Sequence, residues 1–369
     1  MKILHVLGHE TRGGAYQAAM SVFRLIGQDK RHQQYLHHAD KPTYLQKAWR
    51  STFGFRSRCV EAHLREAWGL LKPDLIHLHN FKDYGTAPIY AARKMGIPVV
   101  WSCYDYWGLC VRDNYHGLCN PDDGPRLKPC MRCYQPQKPL VLKLPMWGRL
   151  RRITAALNEL DGIIALSRDS VVRLRMGGVV VPTEVVAVPV TVPEDPKLSV
   201  RRGDPVVVIR EADIVVFAGW PSEAKGISMF RRLADRPELA DLRFQELSGE
   251  MGREEVLDTL AHAGCLVVPE QWPNPGPLII SEANVMGVQV VASDIGGIPE
   301  TMNGMGRLVK HDDEDAFAAA IDETTRRGWK RQLIDLPKRE EKTSRGDHTL
   351  IRKQIEEAYS DAVRHSSGR

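Results

Sequence analysis

Short apolar runs alternate with amphipathic stretches along most of the chain. The runs Lys2–Gly8, Pro73–Asn80, Pro98–Ser102 and Gly162–Ser167 are brief, carry Ile, Leu and Val, and are bounded by Gly, Pro or polar residues. That pattern predicts strands covered on both faces, as in a parallel sheet. Between them, Ala18, Val22, Phe23 and Ile26 recur at helical spacing, Arg58–Leu71 is amphipathic, and Ala87–Met95 stops at Gly96. Each predicts a helix with one buried stripe. Val171–Arg175 predicts a short helix and Val185–Val190 a last strand. The rhythm resumes with strands at Ile214–Ala218, Leu242–Leu247, Cys265–Val268, Val288–Ala292 and Arg307–Lys310. Helices are expected at Ile227–Ala234, Arg253–His262, Leu278–Met286 and Ala316–Ile321, with a final one at Ile351–Val363. Repeated βαβ units predict α/β architecture with right-handed, doubly wound sheets.

The 369 residues suffice for two full cores. Glu194–Asp204, rich in Pro, Lys and Arg, reads as a linker. The predicted domains are residues 1–193, with a Cys-rich insert at 104–134, and residues 205–335. The segment 340–369 is expected to pack back on the first domain. Charged residues at 26% and apolar ones at 43% are those of a soluble globular protein, and no apolar run is long enough to span a bilayer. MKILHVLG lacks a signal peptide's long apolar region, so the chain reads as cytoplasmic. The net charge of +5 hides an asymmetry, since residues 1–150 carry 22 Lys/Arg against 11 Asp/Glu. A basic first half fits an anionic substrate, an anionic membrane surface or simple complementarity to the acidic second half. The absence of a basic stripe interleaved with aromatics argues against nucleic acid. Leu140–Leu157 combines apolar and basic residues; packing on its own domain is preferred to peripheral contact at the inner membrane surface. Residues 28–57 show little periodicity and read as a mobile or partner-facing segment with solvated histidines (His32, His37, His38).

Three features carry chemistry. Cys110, Cys119, Cys130 and Cys133 are spaced C-x8-C-x10-C-x2-C. Four cysteines in so short a stretch of a cytoplasmic chain favour a structural zinc over disulfides, an iron–sulfur cluster or plain thiols. Cys59, Cys103 and Cys265 read as buried structural thiols. Secondly, Gly13-Gly14 follows the first strand, and Gly219-Trp220 with Lys225-Gly226 follows the first strand of the second domain. A lysine beside a helix start is a phosphate-binding arrangement. Thirdly, Val267–Glu300 holds two strand–loop–helix units, so the starts of two helices point to the rim where open α/β sheets bind ligands. Gly276, in the first loop, is counted among the ligand-binding residues. Asp312 and Asp313 precede a helix and read as caps rather than metal ligands.

The Gly13-Gly14 turn, the PDLIHLHN strand, Gly219…Lys225-Gly226 and WPNPGPLIISEA with its trailing GGIPE resemble the retaining glycosyltransferases of family 4, over Met1 to about Ile321. In particular the chain resembles members with a W-x-E-N-x-P-x-x-I-x-E-A motif and a Cys-containing insert. The resemblance implies the GT-B fold, two facing Rossmann-like doubly wound domains, and a nucleoside-diphosphate sugar as donor, UDP or GDP. The implied acceptor is a glycan, a lipid-linked glycan or a small metabolite, in a setting such as polysaccharide biosynthesis. It implies that Glu282 holds the ribose hydroxyls, that Lys225 meets the pyrophosphate, and that Leu278, Ile279, Gly13 and Gly14 border the phosphates. It implies metal-independent chemistry with retention, by front-face attack of the acceptor.

Three positions depart from the family pattern. Asn274 stands where the first glutamate is expected, Trp220 where an arginine is, and Tyr104 where a histidine precedes Asp105. Each removes a charge or a titratable donor from the implied donor pocket. They motivate an alternative: a diverged GT-B protein that binds nucleotide-sugar without ordinary transfer.

Overall fold

In the computed structural model, β1 (Lys2–Leu7) lies between β2 (Gln33–His38) and β3 (Leu75–Leu78), all parallel. The structure describes residues 1–9, 13–112, 114, 130, 133, 148–190, 211–247, 251–327 and 347–368. They fall into two compact units, Met1–Val188 with His348–Arg369, and Pro189–Asp347. Among the described residues, the first unit has a six-stranded sheet in the order β2-β1-β3-β4-β5-β6, where β4 is Val99–Cys103, β5 Gly162–Ala165 and β6 Thr183–Val185. The pattern of short runs is explained by burial: β3, β4 and β5 are buried at every position. Helices α1 (Gly14–Gly27), α2 (Arg58–Leu71), α3 (Ala87–Met95), α4 (Arg149–Leu157) and α5 (Arg168–Met176) connect or flank the strands.

The second unit has five parallel strands in the order β11-β10-β9-β7-β8. They are β7 (Glu211–Ala218), β8 (Arg243–Leu247), β9 (Ala263–Val268), β10 (Gln289–Ser293) and β11 (Arg307–Val309). Its helices are α6 (Ile227–Ala234), α7 (Arg253–His262), α8 (Leu278–Met286), α9 (Ile298–Met302) and α10 (Glu314–Arg327). The sheet carries a core on each face, one around Leu266, Ile280 and Val290, the other around Val215, Phe230 and Phe317. At the start of α10, Asp313 Oδ1 accepts from Ala316 N–H at 2.9 Å, as a cap. The last helix, α11 (His348–Ser367), belongs to the first unit. Its stripe of Ile351, Ile355, Tyr359 and Ala362 closes over Ile3, Val100 and Ile164. No helix among the described residues is long and apolar enough to cross a membrane.

Several sequence expectations are corrected. Residues 28–57, read as lacking regular structure, contain edge strand β2 and the short helix Tyr44–Lys47. Strand β2 pairs with β1 through its backbone, Lys2 opposite Gln33 through Leu7 opposite His38, so no apolar run was needed to form it. Of the three histidines read as solvated, His38 is exposed, whereas His37 and His32 are partly buried. His37 packs beside Trp68 and Tyr84, with ring centroids 6.2 and 5.9 Å away, and burial lowers its pKa. The His32 side chain is 8% exposed. Strand β6 ends at Val185, while Val186, Val188 and Val190 are buried without extending it. Cys103 and Cys265 are buried as read, but Cys59 is exposed on α2. The linker 194–204 and most of the insert 104–134 lie outside the described residues.

Candidate functional site

In an open α/β sheet, ligands bind beyond the carboxyl ends of the strands, where strand order reverses. In the second unit that point lies between β7 and β9. The chain leaving β7 turns through Gly219, at φ +138°, and Trp220, whose ring is 74% exposed. Ser222 then caps a single helical turn, its Oγ accepting from Lys225 N–H at 3.3 Å. Gly226 has φ +78°, and a Cβ there would sit 1.8 Å from the Pro269 carbonyl oxygen. Glycine is therefore required twice over, by the left-handed backbone and by contact with the chain leaving β9. Gln271 N–H donates to Ala224 O at 2.8 Å and ties the two loops together.

That apposition sets Lys225 against a residue the sequence reading missed. Lys225 Nζ lies 2.6 Å from Glu270 Oε1 and 5.4 Å from the centre of the Trp272 ring. Glu270 Oε2 accepts from Asn274 Nδ2 at 2.8 Å, and Asn274 Oδ1 accepts from Gly276 N–H at 3.0 Å. Glu270 and Asn274 are 2% and 6% exposed. Asn274 thus serves as a cross-brace, using both ends of its amide inside the loop. The Gly296-Gly297 turn closes over it: Gly297 N–H donates to Asn274 O at 2.8 Å, and a Cβ on Gly296 would lie 2.5 Å from Pro273.

The same loop opens α8. Pro277 stands at its cap and offers no side-chain acceptor, so the first-turn N–H groups of Leu278 and Ile279 have no side-chain cap. One turn on, Glu282 is buried. Its Oε1 pairs with Arg253 of α7, also missed from sequence, while Oε2 is buried with no hydrogen-bond partner among the described residues. A buried carboxylate oxygen without a donor is costly unless something supplies one. A polyhydroxylated ligand is one such source. Lys225, Glu270, Asn274 and the head of α8 therefore combine a cation, a fixed acceptor and a helix N-terminus, an arrangement suited to a phosphorylated ligand.

In the first unit the strand order reverses between β1 and β3. There His9 donates through its backbone N–H to Asp83 Oδ2 at 3.0 Å, and its Nδ1 lies 2.7 Å from the same oxygen. Gly13 caps α1 at φ +93°, and a Cβ on Gly14 would meet nothing within 4 Å. Tyr104, just past β4, is half-buried and its hydroxyl lies 3.0 Å from His79 Nδ1. Burial raises the Tyr104 pKa. Tyr104, Gly13 and Gly14 belong to this unit; Gly219, Trp220, Lys225, Asn274, Gly276, Leu278, Ile279 and Glu282 belong to the other.

The four cysteines expected to hold zinc lie only partly within the described residues. Cys119 lies outside the described residues. Cys110, Cys130 and Cys133 are not among the described groups of three whose ligand atoms gather within 4.8 Å, which are His5 with His77 and His79, and Asp29 with His32 and Glu356. Arg112 contacts two of the cysteines, donating from its backbone to Cys110 Sγ at 3.4 Å and from its guanidinium to the backbone Cys133 O at 3.1 Å.

Comparison with known proteins bears on both units. The family described as Glycosyltransferase Family 4 matches residues 5–194, and Glycosyl transferases group 1 matches residues 211–326. No curated protein sequence matches the chain. Among solved structures, Anabaena HepE in complex with UDP-glucose is 16% identical with a TM-score of 0.64, over 98% of this chain and 99% of that one. Sucrose-phosphate synthase from Thermosynechococcus elongatus is 16% identical with a TM-score of 0.55, over 99% and 97%. An α,α-trehalose-phosphate synthase (UDP-forming) from Burkholderia vietnamiensis is 12% identical with a TM-score of 0.63, over 100% and 98%. These likenesses concern the fold, two parallel α/β units of the GT-B kind. With a family match over more than half its length, the chain belongs to glycosyltransferase family 4.

Proposed function

We propose that the protein transfers a sugar from a UDP-sugar to a hydroxyl of a sugar, sugar-phosphate or related acceptor, with retention at the anomeric carbon. The observation that carries this reading is the cluster at the head of α8, with Lys225 held on Glu270 and Asn274 beneath uncapped N–H groups. Breaking a sugar–phosphate bond leaves negative charge on the departing diphosphate and positive charge on the ring. A fixed ammonium and a helix N-terminus stabilise the first without a divalent metal. The acceptor oxygen attacks from the same face, and its proton passes to the departing phosphate oxygen. The Oε2 of Glu282 supplies an acceptor for the ribose hydroxyls. UDP is favoured as the nucleotide because HepE was crystallised with UDP and UDP-glucose and the Burkholderia enzyme is UDP-forming.

The structure also changes the meaning of Asn274. The carboxylate missing at that position is supplied from four residues earlier, since Glu270 enters the same cluster. Donor chemistry is thereby retained in altered form, which favours an active enzyme over a binding-only relative. A thermal-shift titration tests the reading. UDP at a hundred times its Kd should stabilise the protein by about 2.7 kcal/mol. No shift with any nucleoside diphosphate at millimolar concentration would overturn it, and UDP binding without acceptor-dependent product across a broad panel would leave only the binding function.

A further inference from the structure

Among the described residues, two groups of three metal-ligating side chains each bring their ligand atoms within 4.8 Å of one another. The first, His5, His77 and His79, is buried in the first unit and already bonded. His79 Nε2 lies 2.9 Å from His5 Nδ1, and its Nδ1 lies 3.0 Å from the Tyr104 hydroxyl. His77 Nδ1 lies 2.8 Å from the Tyr359 hydroxyl of α11, and its Nε2 lies 2.8 Å from Ser102 Oγ. A metal would have to displace these bonds, so this group belongs to the hydrogen bonding of the core.

The second group is built differently. Asp29 and His32 stand on the turn between α1 and β2, which His32 N–H closes by donating to Asp29 O at 3.0 Å. Glu356 reaches them from α11. The His32 side chain is 8% exposed, yet neither of its ring nitrogens has a hydrogen-bond partner among the described residues. Glu356 Oε1 is also buried without one. Buried polar atoms left unpaired are costly and call for something that completes them. His32 Nε2 faces Glu356 Oε1 at 3.5 Å. An imidazolium hydrogen-bonded to that carboxylate would close to about 2.7–2.9 Å. The observed gap is instead near the spacing of two atoms on one ion, since tetrahedral bonds of about 2.0–2.1 Å hold neighbouring ligand atoms about 3.3 Å apart. Arg31, 73% exposed, holds the outer side of the group: its guanidinium donates to both oxygens of Asp29 and, at 3.3 Å, to Glu356 Oε2. It leaves Glu356 Oε1 and the His32 ring unpartnered.

We propose that His32, Glu356 and Asp29 bind a divalent first-row metal of the zinc class, which ties α11 to the turn leading into β2. One imidazole with two carboxylates suits such an ion better than magnesium or calcium, which take oxygen ligands. The two carboxylates also balance its charge. His32 and Glu356 Oε1 supply the inner pair of ligands, and Asp29 joins by yielding one of its bonds to the exposed Arg31. The ligands come from segments that the whole second unit separates in sequence, so the ion closes the first unit around its own sheet. Its role is structural, and it stands apart from the glycosyl-transfer reading.

The test uses the untagged, metal-stripped full chain and zinc. Native mass spectrometry should find one zinc fewer on His32→Ala and on Glu356→Gln than on the wild type, whereas Cys133→Ser should keep this ion whatever the cysteines bind. Hydrogen exchange locates the effect. Zinc at a hundred times its Kd should slow exchange across α11 and residues 28–34 about a hundredfold, because opening there must release the ion. Magnesium should leave it unchanged. Arg31→Ala removes a competing cation and should tighten zinc binding. Variants that hold as much zinc as the wild type, or zinc that leaves α11 exchange unaltered, would overturn the proposal. Should either variant fail to melt cooperatively, the wild-type exchange with and without zinc still decides.

Discussion

In the proposed transfer chemistry Lys225 has the central role, yet it sits in an ion pair rather than alone. Glu270 fixes its direction and offsets its charge, so the two should fail in different ways. Lys225→Ala should lower kcat on the order of 10²-fold or more, the usual size of a lost electrostatic contact in the transition state. Glu270→Gln keeps the shape and the bond to Asn274 but leaves Lys225 less constrained, and should lower kcat far less, by about tenfold. Steady-state kinetics on both variants decides, and equal losses would contradict the division of roles. The buried histidines make a separate prediction about pH. The His5 pKa falls from 6.5 in an unfolded chain to about 3 here through burial. Between those values the unfolded chain binds a proton that the folded one refuses, so stability rises with pH across that window and is lost as pH falls through it. His5 alone contributes a slope of about 1.4 kcal/mol per pH unit, and His77 and His79 shift in the same direction. Urea melts at pH 7 and pH 5 measure the slope, and a flat profile would mean that these rings are protonated in the folded protein.

At the scale of elements, the site is made by the loops after β7 and β9 pressing on one another. The contact that forces this is Gly226 against Pro269. Gly226→Ala should destabilise the protein by more than about 2 kcal/mol, combining backbone strain with a clash that has no flexible side chain to yield. Nucleotide binding should weaken with it, because Lys225 is the neighbouring residue; a melting temperature within a degree of wild type would refute this. The same contact explains what sequence reading could reach. Helices Arg58–Leu71, Ala87–Met95, Arg253–His262 and Leu278–Met286 were legible to the residue, since an apolar stripe ending in a cap is a local signal. The edge strand Gln33–His38 was not, because it is held by backbone pairing and carries polar side chains on both faces. Lys225, Asn274 and Glu282 were visible as motif positions. Glu270 lies outside the motif spacing and became visible only when the turn after β7 was set against it, although its place directly beyond a central strand was a usable hint. Arg253 and the His5–His79–Tyr104 chain depend on long-range neighbours, for which single-sequence periodicity holds no signal.

At the scale of the whole molecule, the first unit is assembled from two separated stretches of chain. Helix α11 buries Ile351, Ile355 and Tyr359 against the sheet of that unit. Deleting residues 348–369 should cost on the order of 5 kcal/mol, at about 2 kcal/mol for each large apolar side chain. The shortened protein should bind a hydrophobic dye and aggregate, and retention of a cooperative melt at the wild-type temperature would rule out the structural role. This arrangement also has a consequence for synthesis. A ribosome makes the strands of the first unit before the entire second unit, and the helix that covers them after it. The second unit, continuous in sequence, can finish folding while the first still exposes an uncovered apolar face and while His77 lacks Tyr359. The nascent first unit is therefore a substrate for chaperones until residues 348–369 emerge, and any pause or truncation before them would leave a correctly folded second unit tethered to an aggregation-prone partner.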